Sequence, residues 1–225
     1  MLSYIITYGS ILFYYSLFFL AIAIGHKSGS GQLKDVLSGK GELDTLMARL
    51  IAGIFFLGMG GSVLFAKRNI DSKIIDLSLN DYDLPVWILM ALAMIVGSLT
   101  AFKKFTSTDN PDHSLPLSLT FSFLLLRTLF LIVYEFFFRC AVLFIMIEDI
   151  GVVAAVITNL VLYIVVHWFD KKERYGSLLM GVVLCCVTIY YNSIWPAIII
   201  HLSLALSHEI TQLINNKSLI KKSWS

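Results

Sequence analysis

Charge is what this sequence of 225 residues most lacks: Asp, Glu, Lys and Arg make up 14% of it, against 58% hydrophobic residues. Soluble domains carry about 25% charged residues, so the chain has too little polar surface for a water-facing globule. Neither sign dominates, since Lys plus Arg number 17 and Asp plus Glu 15. Without a basic excess to displace counterions, nucleic acid is excluded as the expected partner. Four prolines and 14 glycines rule out collagen-like and low-complexity chains. The cysteines, Cys140, Cys185 and Cys186, lie inside apolar runs and form neither a disulfide framework nor a Cys-x-x-Cys metal pair.

What the sequence has is long apolar runs. A helix needs about 20 apolar residues to cross the hydrocarbon core, and only helices or closed barrels span it. The runs are continuous rather than alternating, which predicts an all-α, polytopic transmembrane helical bundle and not a barrel. Reading between charged clusters gives about seven spans (six to eight), near 3–25, 46–66, 85–102, 115–147, 150–168, 176–191 and 194–213. The stretch from Met1 to Gly25 has no Lys or Arg before a long apolar core, so it reads as the first span and not as a signal peptide. The fourth run is too long for one perpendicular crossing. Its polar start, with Ser114, Ser118, Thr120 and Ser122, reads as interfacial. The whole chain, 1–225, is expected to be one integral membrane domain whose constant partner is the lipid bilayer. No internal repeat or soluble domain is evident, and 26–45 reads as a Gly/Ser-rich loop.

Orientation follows from loop Lys and Arg. With seven spans, eleven of them fall in 26–45, 103–114, 169–175 and the tail after Leu213, against three (Lys67, Arg68, Lys73) on the opposite side. The expected C-terminus is therefore cytoplasmic and the N-terminus outside. Arg49, Arg127 and Arg139 remain inside spans; Arg49, one turn from a helix end, reads as a snorkelling anchor.

Ionisable groups at membrane depth cost several kcal/mol unless paired or wet. The second half of the chain holds most of them. Glu135 and Arg139 are four residues apart and share a helix face, so they can form an ion pair. The three phenylalanines between them, 136–138, point largely to lipid or neighbouring helices. Asn159, Tyr163 and His167 form a polar ladder on one face of the fifth span. His201 lies deep in an apolar run, and His208 follows seven residues later on the same face, beside Glu209. Histidines suit proton transfer and metal ligation, because their charge changes near neutral pH. Three helices each bringing such groups inward point to a functional site, although a buried pair that merely joins helices explains Glu135 and Arg139 taken alone.

The arrangement resembles the CAAX-protease and bacteriocin-processing (CPBP, Abi-type) family of intramembrane proteases. That family's pattern is Glu-Glu-x-x-x-Arg, then Phe-x-x-x-His, then His-x-x-x-Asn on three successive membrane segments. Here the segments read Tyr134-Glu135-x-x-x-Arg139, Tyr163-x-x-x-His167 and His201-x-x-x-Ala205, the last introduced by Asn192-Ser193-Ile194-Trp195-Pro196-Ala197. Order, spacing and flanks agree over 124–210. The resemblance implies an endopeptidase of membrane-associated or prenylated-type peptide substrates, in a bacterial plasma membrane. His167 would orient or polarise water, His201 would stabilise the oxyanion or ligate a metal, and Arg139 would fix the Glu135 carboxylate.

Two positions depart from the pattern. Tyr134 stands where the family has its first Glu, and Ala205 where it has Asn. A phenol with an ordinary pKa of about 10 is a poor base at neutral pH. Either Glu135 serves as base with His167 and His201, Tyr134 doing no more than position water and His208 replacing the lost Asn, or the site is an inactive remnant that binds peptide or scaffolds a partner. A divalent metal such as zinc would need about three protein ligands; His167 and His201 with Glu135 or His208 are the candidates. A proton-coupled transporter would also use buried Glu, Arg and His, but no inverted repeat supports it.

Overall fold

Backbone amides in lipid must find partners within their own segment, and helices meet that demand. The computed structural model describes residues 2–68, 70–77, 82–105, 115–169 and 171–223, and among these no strand occurs. The helices are α1 (Leu2–Lys27), α2 (Leu33–Leu37), α3 (Leu43–Arg68), α4 (Leu84–Phe105), α5 (Leu117–Glu135), α6 (Phe144–Ile150), α7 (Val152–Val166), α8 (Lys171–Tyr191) and α9 (Trp195–Ser223). A 3₁₀ turn covers Ser72–Ile75, and a π-helical stretch, Phe136–Leu143, joins α5 to α6.

Among the described residues six apolar helical runs are long enough to cross a membrane: Tyr4–Lys27, Leu43–Arg68, Leu84–Phe102, Leu117–Ile150, Arg174–Tyr191 and Trp195–Asn216. The seventh expected span, 150–168, is shorter than anticipated. Its helix α7 has 15 residues, about 22 Å at 1.5 Å per residue, against a hydrocarbon core of about 30 Å. Gly151, whose φ of 81° is open to glycine and strained for other residues, separates α6 from α7 at one end, and the helix closes at Val166 with His167 as its C-cap at the other.

The connections gather at two ends, as the expected crossings require. At one end Arg68 pairs with Asp149, Ile194 N donates to Ile74 O at 3.1 Å, and the Tyr82 and Ser193 hydroxyls lie 3.1 Å apart. At the other end the His26 ring stacks on Phe169 with centroids 4.9 Å apart. The 26–45 segment at this second end is more than a loop. Leu33, Val36 and Leu37 of α2 are buried, and Gln32 N donates to Asp35 Oδ2 at 3.0 Å in the manner of a capping box. Its Gly and Ser punctuation hid a single apolar turn that plugs this end of the bundle.

The π stretch is the centre of the core. Phe137, Phe138, Arg139, Cys140, Ala141, Val142 and Leu143 are all 0% exposed, because the widened i→i+5 turn is enclosed by α1, α3, α7 and α8 as well as its own flanks. The phenylalanines therefore meet helices: Phe138 lies edge-on to Tyr15, and Phe136 faces Phe65. Gly60 and Gly61 of α3 permit this approach. A Cβ at Gly60 would lie 3.0 Å from Phe137, and one at Gly61 2.8 Å from Phe136, the small-residue contact usual between membrane helices.

Candidate active site

The start of α9 fixes how deep His201 sits. The Ser193 hydroxyl lies 3.3 Å from Trp195 N, and the Trp195 indole donates to Ile75 O at 2.8 Å. Pro196 in the first turn has no N–H needing a partner. His201 follows six residues after Trp195 and is buried, with its Nδ1 2.6 Å from Glu135 Oε1. A carboxylate only accepts, so the proton in this contact sits on Nδ1, and in the neutral ring Nε2 then carries the lone pair.

Glu135 and Arg139 form the pair expected from their spacing. Arg139 Nε lies 3.2 Å from Glu135 Oε2, and both side chains are 0% exposed. The approach is an ion pair by distance, without the aligned geometry of a hydrogen bond. Arg139 Nη1 donates to Asn159 Oδ1 and lies 3.6 Å from Cys185 Sγ, while the guanidinium carbon sits 4.8 Å from the centre of the Tyr163 ring. Asn159 Nδ2 in turn donates to Phe138 O at 2.7 Å. The polar ladder on α7 is thus divided among tasks. Asn159 holds Arg139, Tyr163 shields it, and His167 caps the helix 5.4 Å from the Tyr163 ring.

A cavity of about 160 Å³ opens among these helices, roomy enough for several waters. Its lining is polar at His26, Gln32, Arg49, Arg127, His208, Glu209 and Gln212 and apolar at Phe18, Phe130 and Leu131, and Tyr134, His167 and His201 are on the same wall. Gly31, Gln32 and Leu33 also line it, which puts the cavity against the end that carries α2. His167, the C-cap of the short α7, lines the same cavity as His201.

Glu135 and Arg139 are not part of this wall; they lie behind His201. Tyr134 is on the wall instead, 3% exposed, its ring 5.9 Å from that of His201 and 5.6 Å from that of Tyr163. The neighbouring positions 134 and 135 diverge as a helix requires, so the phenol and not the carboxylate faces the cavity. A direct role for Glu135 as base meets this obstacle. His208 is on the same lining: Nδ1 lies 3.1 Å from Gly97 O and 3.0 Å from Thr100 Oγ1, and Nε2 2.7 Å from the Gln212 amide. Seven residues of helix also separate it from His201 by about 10 Å. That geometry does not favour it as a replacement at position 205.

Among the described residues no three His, Cys, Asp or Glu side chains converge in the manner of a metal site. Two features were not anticipated from the sequence. One is the entry of 31–33 into the cavity wall. The other is the pairing of Arg127 with Glu209, Nε to Oε1 at 2.8 Å, whose only sequence signal was a lone cation in one apolar run and a lone anion in another.

Neither a curated protein nor a solved structure matches the chain. A family model does: residues 116–206 match the type II CAAX prenyl endopeptidase Rce1-like family. The match covers α5 to the middle of α9, with Tyr134, Glu135, Arg139, His167 and His201 inside it. Over that segment, which is less than half of the chain, this helical protein resembles the CAAX-type proteases, the resemblance carried by the three short motifs.

Proposed function

We propose that this protein is an intramembrane endopeptidase of the CAAX type, hydrolysing peptide bonds of membrane-associated, prenylated-type substrates in the cavity beside His167 and His201. One observation carries the reading: His201 stands on the cavity wall, held from behind by Glu135, which Arg139 holds in turn. With Nδ1 engaged by the carboxylate, Nε2 takes a proton from water as the water oxygen attacks the peptide carbonyl. Glu135 then balances the imidazolium, the logic of a carboxylate–histidine pair, and His201 returns the proton to the leaving amine. His167 orients the water. Glu135 and Arg139 act through His201 as positioning residues, and no step needs a metal.

A second reading rests on Tyr134. The wall carries a phenol where the family resemblance places a carboxylate, which suits a relative that binds peptide without cleaving it. Purified protein in detergent, offered a library of prenylated and unprenylated membrane-anchored peptides, separates the two. Cleavage by wild type that His201→Ala abolishes supports the enzyme. Peptide binding with no cleavage supports the binder, and cleavage equal in both proteins removes His201 from the chemistry.

We also place the end carrying α2, and the cavity against it, in the cytoplasm, on the eleven-to-three distribution of Lys and Arg. A reporter active only outside the membrane, fused after Ser225, is then silent; an active fusion reverses the orientation.

A further inference from the structure

We propose that the Arg127 guanidinium binds a carboxylate of the substrate, held in the cavity at a distance from His167 and His201; the inference rests on the hydrolytic reading above for where the scissile bond lies. Arg127 is an arginine inside the apolar run Leu117–Ile150, where a cation needs a partner or water. One side of the group is occupied. Nε lies 2.8 Å from Glu209 Oε1, and the guanidinium carbon sits 5.4 Å from the centre of the Phe130 ring, so the head group is held in place. The two Nη groups make no hydrogen bond among the described residues, the side chain keeps 24% of its surface, and it lines the cavity. The unused Nη1–Nη2 edge matches a carboxylate through two parallel bonds. The lining as a whole also calls for an anion. Histidines apart, it carries two cations, Arg49 and Arg127, against one carboxylate, Glu209.

Helix spacing says where that carboxylate sits in a peptide. Arg127 precedes Tyr134 by seven residues on α5, and Glu209 follows His201 by eight on α9. At 1.5 Å per residue, both helices offset this pair from the His201 level by about 10–12 Å. An extended chain covers about 3.3 Å per residue, so a carboxylate about three residues from a bond beside His167 and His201 reaches Arg127. A chain terminus and an acidic side chain share that chemistry. The other basic groups of the cavity are placed for other tasks. Arg49 packs on the last turn of α1, where a Cβ at Gly25 would lie 2.7 Å from its Cδ. His208 has both ring nitrogens engaged, Nδ1 3.0 Å from Thr100 Oγ1 and Nε2 2.7 Å from the Gln212 amide. His26 is stacked on Phe169.

The test measures binding and cleavage of a farnesylated peptide with three alanines after its cysteine, as the free acid and as the C-terminal amide. Two further amides carry Asp or Asn in place of the last alanine. Wild type in detergent binds the acid more tightly than the plain amide by about tenfold to a hundredfold, the range of one charge-assisted bond, or makes that distinction between the Asp and Asn amides. The first result assigns the carboxylate to the chain end and the second to a side chain. Arg127→Gln with Glu209→Gln removes both charges and strands neither, and its thermal unfolding reports that it is folded. This variant binds all four peptides at the wild-type affinity for the plain amide. Arg127→Lys keeps a charge beside Glu209 but not the planar fork, and it weakens the preference where folding is not in question. Arg49→Gln keeps the preference. No preference in wild type, one that survives undiminished in either Arg127 variant, or one that Arg49→Gln abolishes overturns the role of Arg127. Cleavage by wild type without any such preference removes the anchor and leaves the hydrolytic reading. A preference that depends on Arg127, with no cleavage of any peptide, keeps the anchor and removes the hydrolytic reading.

Discussion

Two carboxylate–guanidinium pairs lie within three turns of each other along α5 and its π extension, and they live in different solvents. Glu135 and Arg139 are both 0% exposed, whereas Arg127 and Glu209, on the cavity lining, keep 24% and 11% of their side-chain surface. Burial decides what each pair can do. An ion removed from water is tolerable only while its partner and hydrogen bonds remain, so the inner pair behaves as one unit with Asn159 and His201. The outer pair is only part-buried, because Arg127 keeps 24% of its side-chain surface although Glu209 is itself buried, so losing it costs less than losing the inner pair. The inner pair therefore sets the position of a reacting group, and the outer one sets the charge on the cavity lining.

Breaking the inner pair on one side has the largest expected effect. Arg139→Ala strands Glu135 in a dry core and lowers stability by about 3–5 kcal/mol. Arg139→Ala with Glu135→Gln removes the stranded charge, so thermal unfolding in detergent shows a smaller loss for the double variant than for the single one. Equal losses would mean that the two residues do not act together. Asn159→Ala comes next. It leaves Arg139 Nη1 and Phe138 O without their partner, worth about 1–3 kcal/mol for buried groups. Arg127→Gln costs less than Arg139→Ala, because Arg127 keeps 24% of its side-chain surface, but more than a surface pair would, because Glu209 is buried. An Arg127→Gln loss as large as that of Arg139→Ala would show that the cavity is dry there and would erase the contrast.

The same contrast explains what the sequence could and could not reveal. A four-residue spacing in one helix is legible, so Glu135 and Arg139 were expected to pair, and they do. The helical class and the positions of the apolar runs were legible too, because lipid demands length and continuity. Contacts between helices were not. Nothing local indicates that His201 reaches Glu135 across 66 residues or that Arg127 finds Glu209. The π stretch also escaped notice, since a widened turn and an α-turn use the same apolar residues. The direction of Tyr134 and Glu135 was half legible. Adjacent helical residues must diverge, but only the packing of α1, α7 and α9 decides which of the two meets the cavity.

The smallest effect is expected at the opposite end of the molecule, where one arginine carries the comparison within itself. Arg68 is paired with Asp149, whose side chain is 4% exposed, and lies 3.7 Å from Glu148, whose side chain is 59% exposed. Asp149 also accepts from the Tyr8 hydroxyl at 3.2 Å, so it clasps the ends of α1, α3 and α6 together. Glu148 has only a long, hydrated contact. Glu148→Gln should therefore change stability by no more than about 0.5 kcal/mol, within the spread of surface substitutions. Asp149→Asn loses a charge-assisted bond and should cost about 1.5–3 kcal/mol. Both variants keep the side-chain volume, so unfolding midpoints compare charge alone. If Glu148→Gln proves as costly as Asp149→Asn, burial is not what grades these pairs, and the ordering from core to cavity to rim fails with it.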